Sequence, residues 1–501
     1  MDKNNEKKYE SSILRMINRW AGIRQKSTRG NPEREAVYKR NQPRPVLRGR
    51  SGIYEPERKA PVLAECDVLV VGGGPAGLSA ALSAKRAGAD TILMERYGCF
   101  GGVITTVGME TLGWYRYEGT VESNGIGREM ERLAAGMGGT VKWPYNDSEC
   151  LDADFFKIVA DHLIRETGVR PVLHCFAVEA IMDNNRIAGV ITESKSGRLA
   201  ILAKRVIDCT GDADIAYLAG APCRKTAREE MMGVTTVFSC SGVDKKKFLK
   251  YTEKNRATYA DWSRVWDQET TGKEDALPSP YLEKEFEKAR DLGVIPAGSG
   301  NLGGTWSALT DAGEATNLNL VHMKGIDCTD VFDLTRAEMQ GRAESLHAIA
   351  ALKKVVPGFE KAKLRNFGMT LGCRDSRKIV GRYNLTGDDV RGEGKFDDSI
   401  GIFPEFLDGY NILILPTTGR YFEVPYGCLL PLDIDNLLVA GRCSAGDKVS
   451  HCAMRNMMAC TVTGQGAGIA AAVSLRTGKT TWNVDIAEVQ RELENQGVRI
   501  H

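Results

Sequence analysis

The segment Cys66-Asp-Val-Leu-Val-Val-Gly72-Gly-Gly74-Pro75-Ala76-Gly77 decides the fold of this chain. Its apolar run predicts a buried parallel strand that leads directly into the spacing Gly72-x-Gly74-x-x-Gly77. In this pattern the first glycine permits a tight turn, the second lets a pyrophosphate approach the backbone, and the third lets the following helix pack on the strand. That helix begins near Pro75 and Ala76, with free N–H groups directed at the phosphates.

A second short strand, Thr91-Ile-Leu-Met, ends at Glu95. A carboxylate at this place can accept both ribose hydroxyls of an adenosine, and it repels the 2′-phosphate of NADP. The stretch Arg96-Tyr-Gly-Cys-Phe-Gly101-Gly102 follows, with glycines that let the backbone pass beside a flavin and its diphosphate. These features favour FAD over NAD.

Two later segments repeat the pattern of a hydrophobic strand that ends in a glycine turn. The first ends in Thr210-Gly211-Asp212, and the second ends in Gly441-Arg442. A cofactor longer than a nucleotide lies across several strand ends, so we expect these residues to contact it as well.

With these motifs the chain resembles the FAD-dependent oxidoreductases that have the glutathione-reductase type of FAD-binding fold. Within that superfamily it is most similar to a group with four further patterns. They occur here as Leu371-Gly-Cys-Arg374-Asp-Ser376-Arg377-Lys-Ile-Val-Gly381, Val424-Pro-Tyr-Gly-Cys-Leu-Leu-Pro431, Gly441-Arg442-Cys443, and Arg455 through Gly464-Gln465-Gly466-Ala-Gly468. The resemblance runs from about residue 64 to 478 and implies non-covalently bound FAD.

The resemblance also implies an architecture. We expect an α/β protein with a doubly wound, three-layer, Rossmann-like FAD-binding domain, a β-meander and an inserted α+β substrate lobe. The expected divisions are a basic arm (1–60), the first part of the FAD-binding domain (61–230), the substrate lobe (231–427) and the C-terminal part of the FAD-binding domain (428–501).

Local sequence patterns predict the helices and strands of this architecture. We expect a helix over 154–165, a strand over 172–177, a meander within 180–207, and charged lobe helices over 244–256, 281–292 and 334–354. In the family a meander strand commonly contacts adenine through its backbone, which here indicates Ala177 or Val178.

The C-terminal motif predicts a buried strand over 436–440, a loop over 447–453 and a helix of small residues over 455–475. The helix would pack closely on the sheet and the cofactor. Its N-terminus, near Ala453 to Met457, would direct its positive dipole end at the flavin and stabilise the reduced, anionic form, with Met454 at the cofactor.

Candidate catalytic residues lie in the segments that the resemblance places over the flavin. Arg374 and Arg377 suit a carboxylate or enolate, although an ion-pair network with Asp375 and nearby acids is the favoured role for Arg377. His451 is either a general base, because its pKa lies near working pH, or a buried structural histidine. Arg455 is a weaker catalytic candidate.

Composition indicates a cytoplasmic enzyme without a metal. The net charge of +2 indicates no nucleic-acid partner, and the sequence lacks both a long uninterrupted apolar run and a secretory signal pattern, so no membrane segment is expected. The 13 cysteines form no CxxC pair and the 6 histidines show no ligand spacing. Most of the cysteines are expected to be buried in a reducing compartment.

The first 60 residues differ from the rest, with 16 Lys and Arg against 7 Asp and Glu. Residues 11–25 can form a short amphipathic helix, and prolines then indicate an extended arm. Such an arm is solvated, packs on its own acidic body, or wraps a neighbouring subunit of a homo-oligomer.

Two classes of function remain open at this point. The first is an FAD-dependent oxidoreductase of the dehydrogenase or oxidase type, which moves a hydride between a small organic substrate and the flavin. A flavin monooxygenase or an enoyl-type reductase is the enzymatic alternative. The second class is a flavin-carrying electron-transfer subunit of a larger complex. NAD(P)H binding would need a second complete GxGxxG in its own βαβ unit, and none is found, so oxygen or an external electron carrier is expected to close the cycle.

Overall fold

The computed structural model of this protein describes residues 46–47, 53–113, 122–142, 148–255, 267–269 and 281–501. The chain divides into two compact units, residues 1–61 and residues 62–501. In the first unit, two short described strands pair antiparallel. The helix expected over 11–25 lies outside the described residues. It therefore stays a prediction, as do the domain boundaries near residues 231 and 427.

The described strands and helices are as follows. The strands are β1 Val46–Leu47, β2 Ile53–Tyr54, β3 Val62–Val71, β4 Thr91–Met94, β5 Thr140–Lys142, β6 Glu149–Leu151, β7 Arg170–Val172, β8 Phe176–Asp183, β9 Arg186–Ser194, β10 Gly197–Asp208, β11 Cys223–Arg224, β12 Val234–Ser241, β13 Asp267–Glu269, β14 Asn301–Thr305, β15 Ala308–Leu309, β16 Glu314–Met323, β17 Lys363–Phe367, β18 Lys378–Ile379, β19 Ser399–Pro404, β20 Leu407–Gly409, β21 Ile412–Ile414, β22 Tyr421–Pro425 and β23 Leu437–Val439. The helices are α1 Pro75–Arg86, α2 Gly125–Gly136, α3 Ala153–Thr167, α4 Asp214–Leu218, α5 Lys245–Lys254, α6 Glu283–Asp291, α7 Val331–Val355, α8 Gly387–Arg391, α9 Lys448–Met454, α10 Met457–Arg476 and α11 Ile486–Asn495.

The main sheet has seven strands within the described residues, in the order β7-β4-β3-β10-β9-β8, with β23 paired to β10. Strands β7, β4, β3, β10 and β23 run parallel, whereas β8, β9 and the first half of β10 form an antiparallel meander. The predicted α/β fold with a β-meander is therefore confirmed. The strand expected over 172–177 is instead interrupted near His174, whose φ of 57° lies in the left-handed region.

The register brings the ends of the parallel strands to one edge. Val71 lies opposite Met94 and Asp208, and Asp208 lies opposite Val439. The turns that follow these strands therefore meet at the same edge. In open parallel sheets this edge is where ligands bind.

Helix α10 packs against α1, the helix that follows the first glycine turn. A Cβ at Gly464 would lie 2.1 Å from the carbonyl oxygen of Ala76, and one at Gly468 would lie 2.2 Å from that of Ala80. The small residues predicted to pack on the sheet and the cofactor thus mainly allow contact between two helices. Although α10 is long and apolar enough to cross a membrane, 94% of its apolar window is buried inside the protein.

A second sheet, antiparallel and five-stranded within the described residues, has the order β14-β16-β12-β17, with β15 paired to β16. The long helix α7 packs against it. Its pairing is irregular, because the register between β12 and β16 shifts twice within a few residues. The charged lobe helices expected from the sequence correspond to α5, α6 and α7.

Candidate active site

A cavity of about 370 Å³ is lined by residues of both sheets. One part, which we call the turn end, is formed by the turns after β3, β4, β10 and β23. The other part, the polar end, is formed by residues of β12 and β16, by residues 371–374, and by Asp408 and Arg455. The volume lies within the range of about 300–1,000 Å³ that is usual for small-molecule sites.

Most of the predicted cofactor residues line this cavity. They are Gly72, Gly74, Pro75, Ala76, Glu95, Arg96, Gly102, Thr210, Gly211, Asp212, Gly441 and Arg442. The others, which do not line it, are Gly77, Gly101, Val178 and Met454. Among the predicted catalytic residues, Arg374 and Arg455 line the cavity and His451 does not.

The three glycines of the first motif have different surroundings. Gly72 has a φ of 101°, and a Cβ there would lie 2.4 Å from the carbonyl oxygen of Cys209. A Cβ at Gly77 would lie only 1.7 Å from the carbonyl oxygen of Gly72. At Gly74, in contrast, the nearest protein atom would be 3.7 Å away, so this backbone faces open cavity. The turn thus leaves room for a pyrophosphate at the uncapped N-terminus of α1.

Glu95 is oriented by backbone N–H groups. Its Oε2 accepts a hydrogen bond from the N–H of Gly73 at 2.7 Å, and its Oε1 accepts one from Tyr97 at 3.0 Å. Each carboxylate oxygen has a second lone pair, so both can still accept a ribose hydroxyl. This geometry fits the predicted adenosine contact.

Gly101 lies behind the cavity wall and supports it. Its N–H donates to the carbonyl oxygen of Gly73 at 2.8 Å. A Cβ at the next residue, Gly102, would lie 2.5 Å from the Cα of Gly74. These glycines therefore let two backbone segments touch beside the cavity.

The meander end of the cavity is lined by Phe176 and Ala177 rather than by Val178. The pairing of β8 with β9 shifts at this point, because Ala177 pairs with Thr192 and Glu179 with Ile191, which leaves Val178 at the irregularity without a partner on β9. Ala177, the other residue indicated by the sequence, is thus the one at the cavity.

Asp212 and Arg442 form a buried ion pair between the two ends of the cavity. The guanidinium of Arg442 donates to Asp212 Oδ1 at 2.7 Å and to the hydroxyl of Ser376 at 2.9 Å, and that hydroxyl donates to Asp212 at 2.6 Å. Burial acts to raise the pKa of Asp212, but Arg442 and Ser376 outweigh it and hold the pKa below its usual value. The pair joins the β10 turn, the β23 turn and the loop that contains Arg374.

Arg377 takes part in an ion pair at the edge of the cavity, and the other member of this pair, Asp214, is a lining residue. Arg377 also donates to the carbonyl oxygen of Asp212 at 2.9 Å and stacks over the ring of Tyr217. Arg377 does not line the cavity. This arrangement matches the ion-pair role favoured from the sequence, with Asp214 as the partner instead of Asp375.

The described residues of the polar end include two arginines, Arg374 and Arg455, and one carboxylate, Asp408. Arg455 pairs with Asp408 at 2.8 Å, while its Nε is buried and has no hydrogen-bond partner among the described residues. Arg374 donates to the carbonyl oxygen of Gly233 at 2.9 Å. Burial, and then the neighbouring charge of Arg455, lower the pKa of Arg374 to about 10. The polar end thus has an excess of positive charge.

His451 is buried behind the polar end. Its Nε2–H donates to the carbonyl oxygen of Arg374 at 2.9 Å, because a carbonyl oxygen can only accept. Burial, aided by Lys378, lowers the pKa of His451, although Asp375 acts in the opposite direction. A neutral histidine that donates to the backbone and does not line the cavity is poorly placed as a general base.

The expected loop over 447–453 is a short helix, α9, and the helix expected from 455 is α10, which begins at Met457. Asn456 separates the two helices in an extended conformation. Because of this break, Asn456 and Met457 reach the cavity and Met454 does not. The helix N-terminus therefore lies at Met457, at the end of the range 453–457 expected from the sequence.

Sequence reasoning missed the polar residues that the second sheet contributes. Asn317 and Asn319 of β16 and Thr235 of β12 line the cavity. The hydroxyl of Thr235 donates to Asn319 Oδ1 at 2.5 Å. Nothing in the local pattern of β16 distinguishes these asparagines from exposed ones, and only the pairing of β12 with β16 brings them to the site.

The cysteines and histidines are the residues that could form a metal site or a disulfide. Among the described ranges, no group of three or more His, Cys, Asp and Glu side chains has the arrangement of a metal site. All thirteen cysteines, which the structure describes, are free thiols. The prediction that no metal is bound stays a prediction.

Comparisons with known proteins agree with this geometry. The family model "FAD dependent oxidoreductase" matches residues 67–493. The chain is similar to a thiamine thiazole synthase of Methanococcus vannielii, with 29% identity over 30% of this chain and 59% of that protein. It is also similar to an NADH oxidase of Thermoanaerobacter brockii, with 33% identity over 25% of this chain and 17% of that protein.

The matched segments thus span less than two thirds of either relative. Among solved structures, a geranylgeranyl bacteriochlorophyll reductase-like protein from Thermoplasma acidophilum is similar over 86% of this chain and 82% of its own, with 15% identity and a TM-score of 0.41. The family match covers the main sheet, its turns, the second sheet and α10. The chain belongs to the FAD-dependent oxidoreductase family.

Proposed function

We propose that this FAD-dependent oxidoreductase removes a hydride from a small organic anion, which Arg374 and Arg455 bind. The excess of positive charge at the polar end carries the proposal. Among the described residues, Asp408 is the one carboxylate that pairs with either arginine, and the Nε of Arg455 has no hydrogen-bond partner. A buried cation is stabilised by an anionic partner, so an anionic ligand fits this end of the cavity.

The cofactor-binding roles proposed for the turn end follow from its geometry. Glu95 would accept the ribose hydroxyls, the backbone at Gly74 would lie against the pyrophosphate, and the N-terminus of α10 would stabilise negative charge on the reduced flavin. When bound, FAD supplies the two-electron acceptor. We also infer the glutathione-reductase type of FAD-binding fold, which the parallel sheet with its meander supports.

His451 is proposed as a positioning residue. Its hydrogen bond to the carbonyl oxygen of Arg374 orients the loop that presents the Arg374 guanidinium to the cavity. The carboxylate of Asp375 ties the same loop to Lys378 at 2.7 Å and to Tyr410. Loss of His451 would therefore weaken substrate binding without removing a proton acceptor.

We propose that the reduced flavin passes its electrons to oxygen or to an external carrier, because the sequence has no second GxGxxG within a βαβ unit of its own. The spacing recurs at Gly298-x-Gly300-x-x-Gly303, but there it follows helix α6 and leads into strand β14. A monooxygenase or an enoyl-type reductase would use the same cavity with electrons moving toward the substrate. An electron-transfer subunit would not need a charged polar end enclosed by two sheets. That polar end is the reason we favour an enzyme with its own substrate.

Anaerobic reduction of the flavin tests the proposal. The FAD-loaded enzyme is mixed with a panel of hydroxy, amino and saturated carboxylic acids, each paired with its methyl ester, and flavin bleaching is followed by stopped flow. We expect bleaching by an acid and not by its ester. Arg374→Gln and Arg455→Gln should raise the apparent Kd of that acid about tenfold to a hundredfold, because each removes a charge-assisted hydrogen bond.

Arg382→Gln is the matched control, since Arg382 follows the same loop but donates to the carbonyl oxygen of Trp482 outside the cavity. Equal bleaching by esters and acids would contradict the anionic substrate. Product formed only with oxygen and an added reductant would favour the monooxygenase instead.

We further propose that residues 1–60 mediate self-association in the cytoplasm. The basic composition of this segment supports an arm that contacts the acidic remainder of a second copy. Deleting residues 1–50 should lower the mass measured by light scattering and leave bound FAD in place. An unchanged mass would leave the segment as an intramolecular wrap or a solvated extension.

A further inference from the structure

We infer that Asn317 binds the substrate, with its side-chain oxygen accepting a hydrogen bond from a hydroxyl or amino group close to the substrate's carboxylate. The substrate class is then the hydroxy and amino carboxylic acids that carry this group on the carbon next to the carboxylate. The inference rests on the proposed function for the carboxylate and adds a second recognised group.

Asn317 lies where strand β16 departs from regular pairing. Thr236, Phe238 and Cys240 of β12 pair with Val321, Leu318 and Ala315, so β16 has an extra residue in each interval. Asn317 itself has a φ of 52°, in the left-handed region. Such bulges redirect side chains and are common beside active sites, and their strain is often associated with a functional requirement.

Within the described residues, the side-chain nitrogen of Asn317 has hydrogen-bond partners and the side-chain oxygen has none. Its Nδ2 donates to the hydroxyl of Thr111 at 2.7 Å and to that of Ser307 at 3.1 Å, and both of these residues line the cavity. Its Oδ1 is buried and has no hydrogen-bond partner within the described part of the chain. A buried acceptor without a partner is unfavourable, so a ligand with an O–H or N–H group would satisfy it.

Asn317 and the proposed anion site line the same cavity. Asn319, two residues further along the strand, accepts a hydrogen bond from Arg374 at 3.4 Å. Two residues of strand span at most about 6–7 Å, which a short molecule with one hydrogen bond at each end can bridge. The carboxylate and its neighbouring donor group can therefore reach Arg374 and Asn317 together.

Calorimetric binding to the FAD-loaded protein tests this inference. The probes are 2-hydroxy-4-methylpentanoate, leucine and 4-methylpentanoate, which share a carbon skeleton and differ in the donor group. The flavin is photoreduced beforehand under anaerobic conditions, so no turnover occurs. We expect the hydroxy or the amino acid to bind about tenfold more tightly than the acid without a donor group.

Asn317→Gly keeps the left-handed backbone accessible and removes the amide. It should abolish the tenfold preference and leave the affinity for 4-methylpentanoate unchanged. Asn436→Gly is the matched control, because Asn436 has a φ of 63°, is buried, has an unpartnered Oδ1, and lies outside the cavity. The preference should persist in that variant.

Equal affinities for the three acids, or no binding of any of them, would overturn the inference. A loss of bound FAD in Asn317→Gly would do the same, since it would assign Asn317 to the cofactor. If the preference holds but no acid bleaches the oxidised flavin, the proposed direction of hydride transfer fails and this binding role stands.

Discussion

The turn end presents mostly backbone to the cavity, whereas the polar end presents side chains. A Cβ added at Gly74 would have no protein atom nearer than 3.7 Å, and Glu95 is itself oriented by main-chain N–H groups. At the polar end, Arg374, Arg455 and Asn317 come from three separate parts of the chain. The turn end therefore suits a group common to the whole family, and the polar end suits a substrate that differs between members.

The largest expected effect concerns the ion pair between the two ends. Arg442→Met leaves the largely buried carboxylate of Asp212 without its guanidinium partner, and we expect a cost of about 3 kcal/mol in unfolding free energy, the low end for a buried pair, because both side chains also line the cavity. Chemical denaturation of the FAD-free protein measures it. The double variant Arg442→Met/Asp212→Asn should recover much of the loss, because the uncompensated charge is then absent. A loss below about 1 kcal/mol in the single variant would show that the two ends are not joined through this pair.

The next largest effect concerns the stability of the folded protein when the buried carboxyl group of Glu110 is ionised. Burial raises the pKa of Glu110 to about 7, although the hydroxyl of Thr316 and the N–H of Ala153 hydrogen-bond to its carboxylate. The folded state therefore binds this proton more tightly than the unfolded state does. Its contribution to stability is complete below about pH 4.5 and is lost as the pH rises through about 7.

Glu110→Gln should remove this loss. Near pH 4.5 the two proteins should be about equally stable, and at pH 8 the variant should be more stable by roughly 3 kcal/mol, from 1.36 kcal/mol per pKa unit. Denaturation curves across this pH range provide the measurement. A variant that is less stable at pH 8 would show that the charged carboxylate is favourable in the folded protein.

At the turn end, two glycine substitutions should have separate effects. Gly77→Ala places a Cβ 1.7 Å from the carbonyl oxygen of Gly72, and we expect a loss of about 1–3 kcal/mol in unfolding free energy. Gly74→Ala has space in the protein and should leave the stability of the FAD-free form unchanged while lowering its affinity for FAD. Fluorescence titration with FAD measures the second effect. Normal FAD affinity in Gly74→Ala would contradict the position proposed for the pyrophosphate.

The smallest expected effect concerns a surface ion pair, which serves as a reference for the pair of Asp212 with Arg442. Arg86 and Glu129 form a two-point ion pair, with both contacts at 2.7 Å, between α1 and α2 on the protein surface. Arg86→Met should cost only about 0.2–1 kcal/mol, because solvent screens exposed charges. Measuring it beside Arg442→Met, in low and high salt, separates burial from simple charge pairing. A cost equal to that of Arg442→Met would remove the distinction between the two sites.

The positions of the cofactor candidates could be predicted from the sequence because they depend on local backbone geometry. Gly72, Gly74 and Glu95 lie at the spacing that a strand, a turn and a second strand require, and the structure brings them to one cavity. The catalytic candidates were harder to predict. Arg374 and Arg455 reach the cavity, but His451 donates to the backbone behind it, and a sequence motif does not show on which side of a loop a side chain lies.

The sequence by itself determined the α/β fold, the glycine turns and the class of cofactor, because these depend on residues that are neighbours along the chain. Only the tertiary structure decided which polar groups line the cavity. The bulges of β16, the break at Asn456 and the ion pair of Asp212 with Arg442 each depend on segments far apart in sequence. Their positions follow from strand pairing and helix packing, which no local pattern encodes.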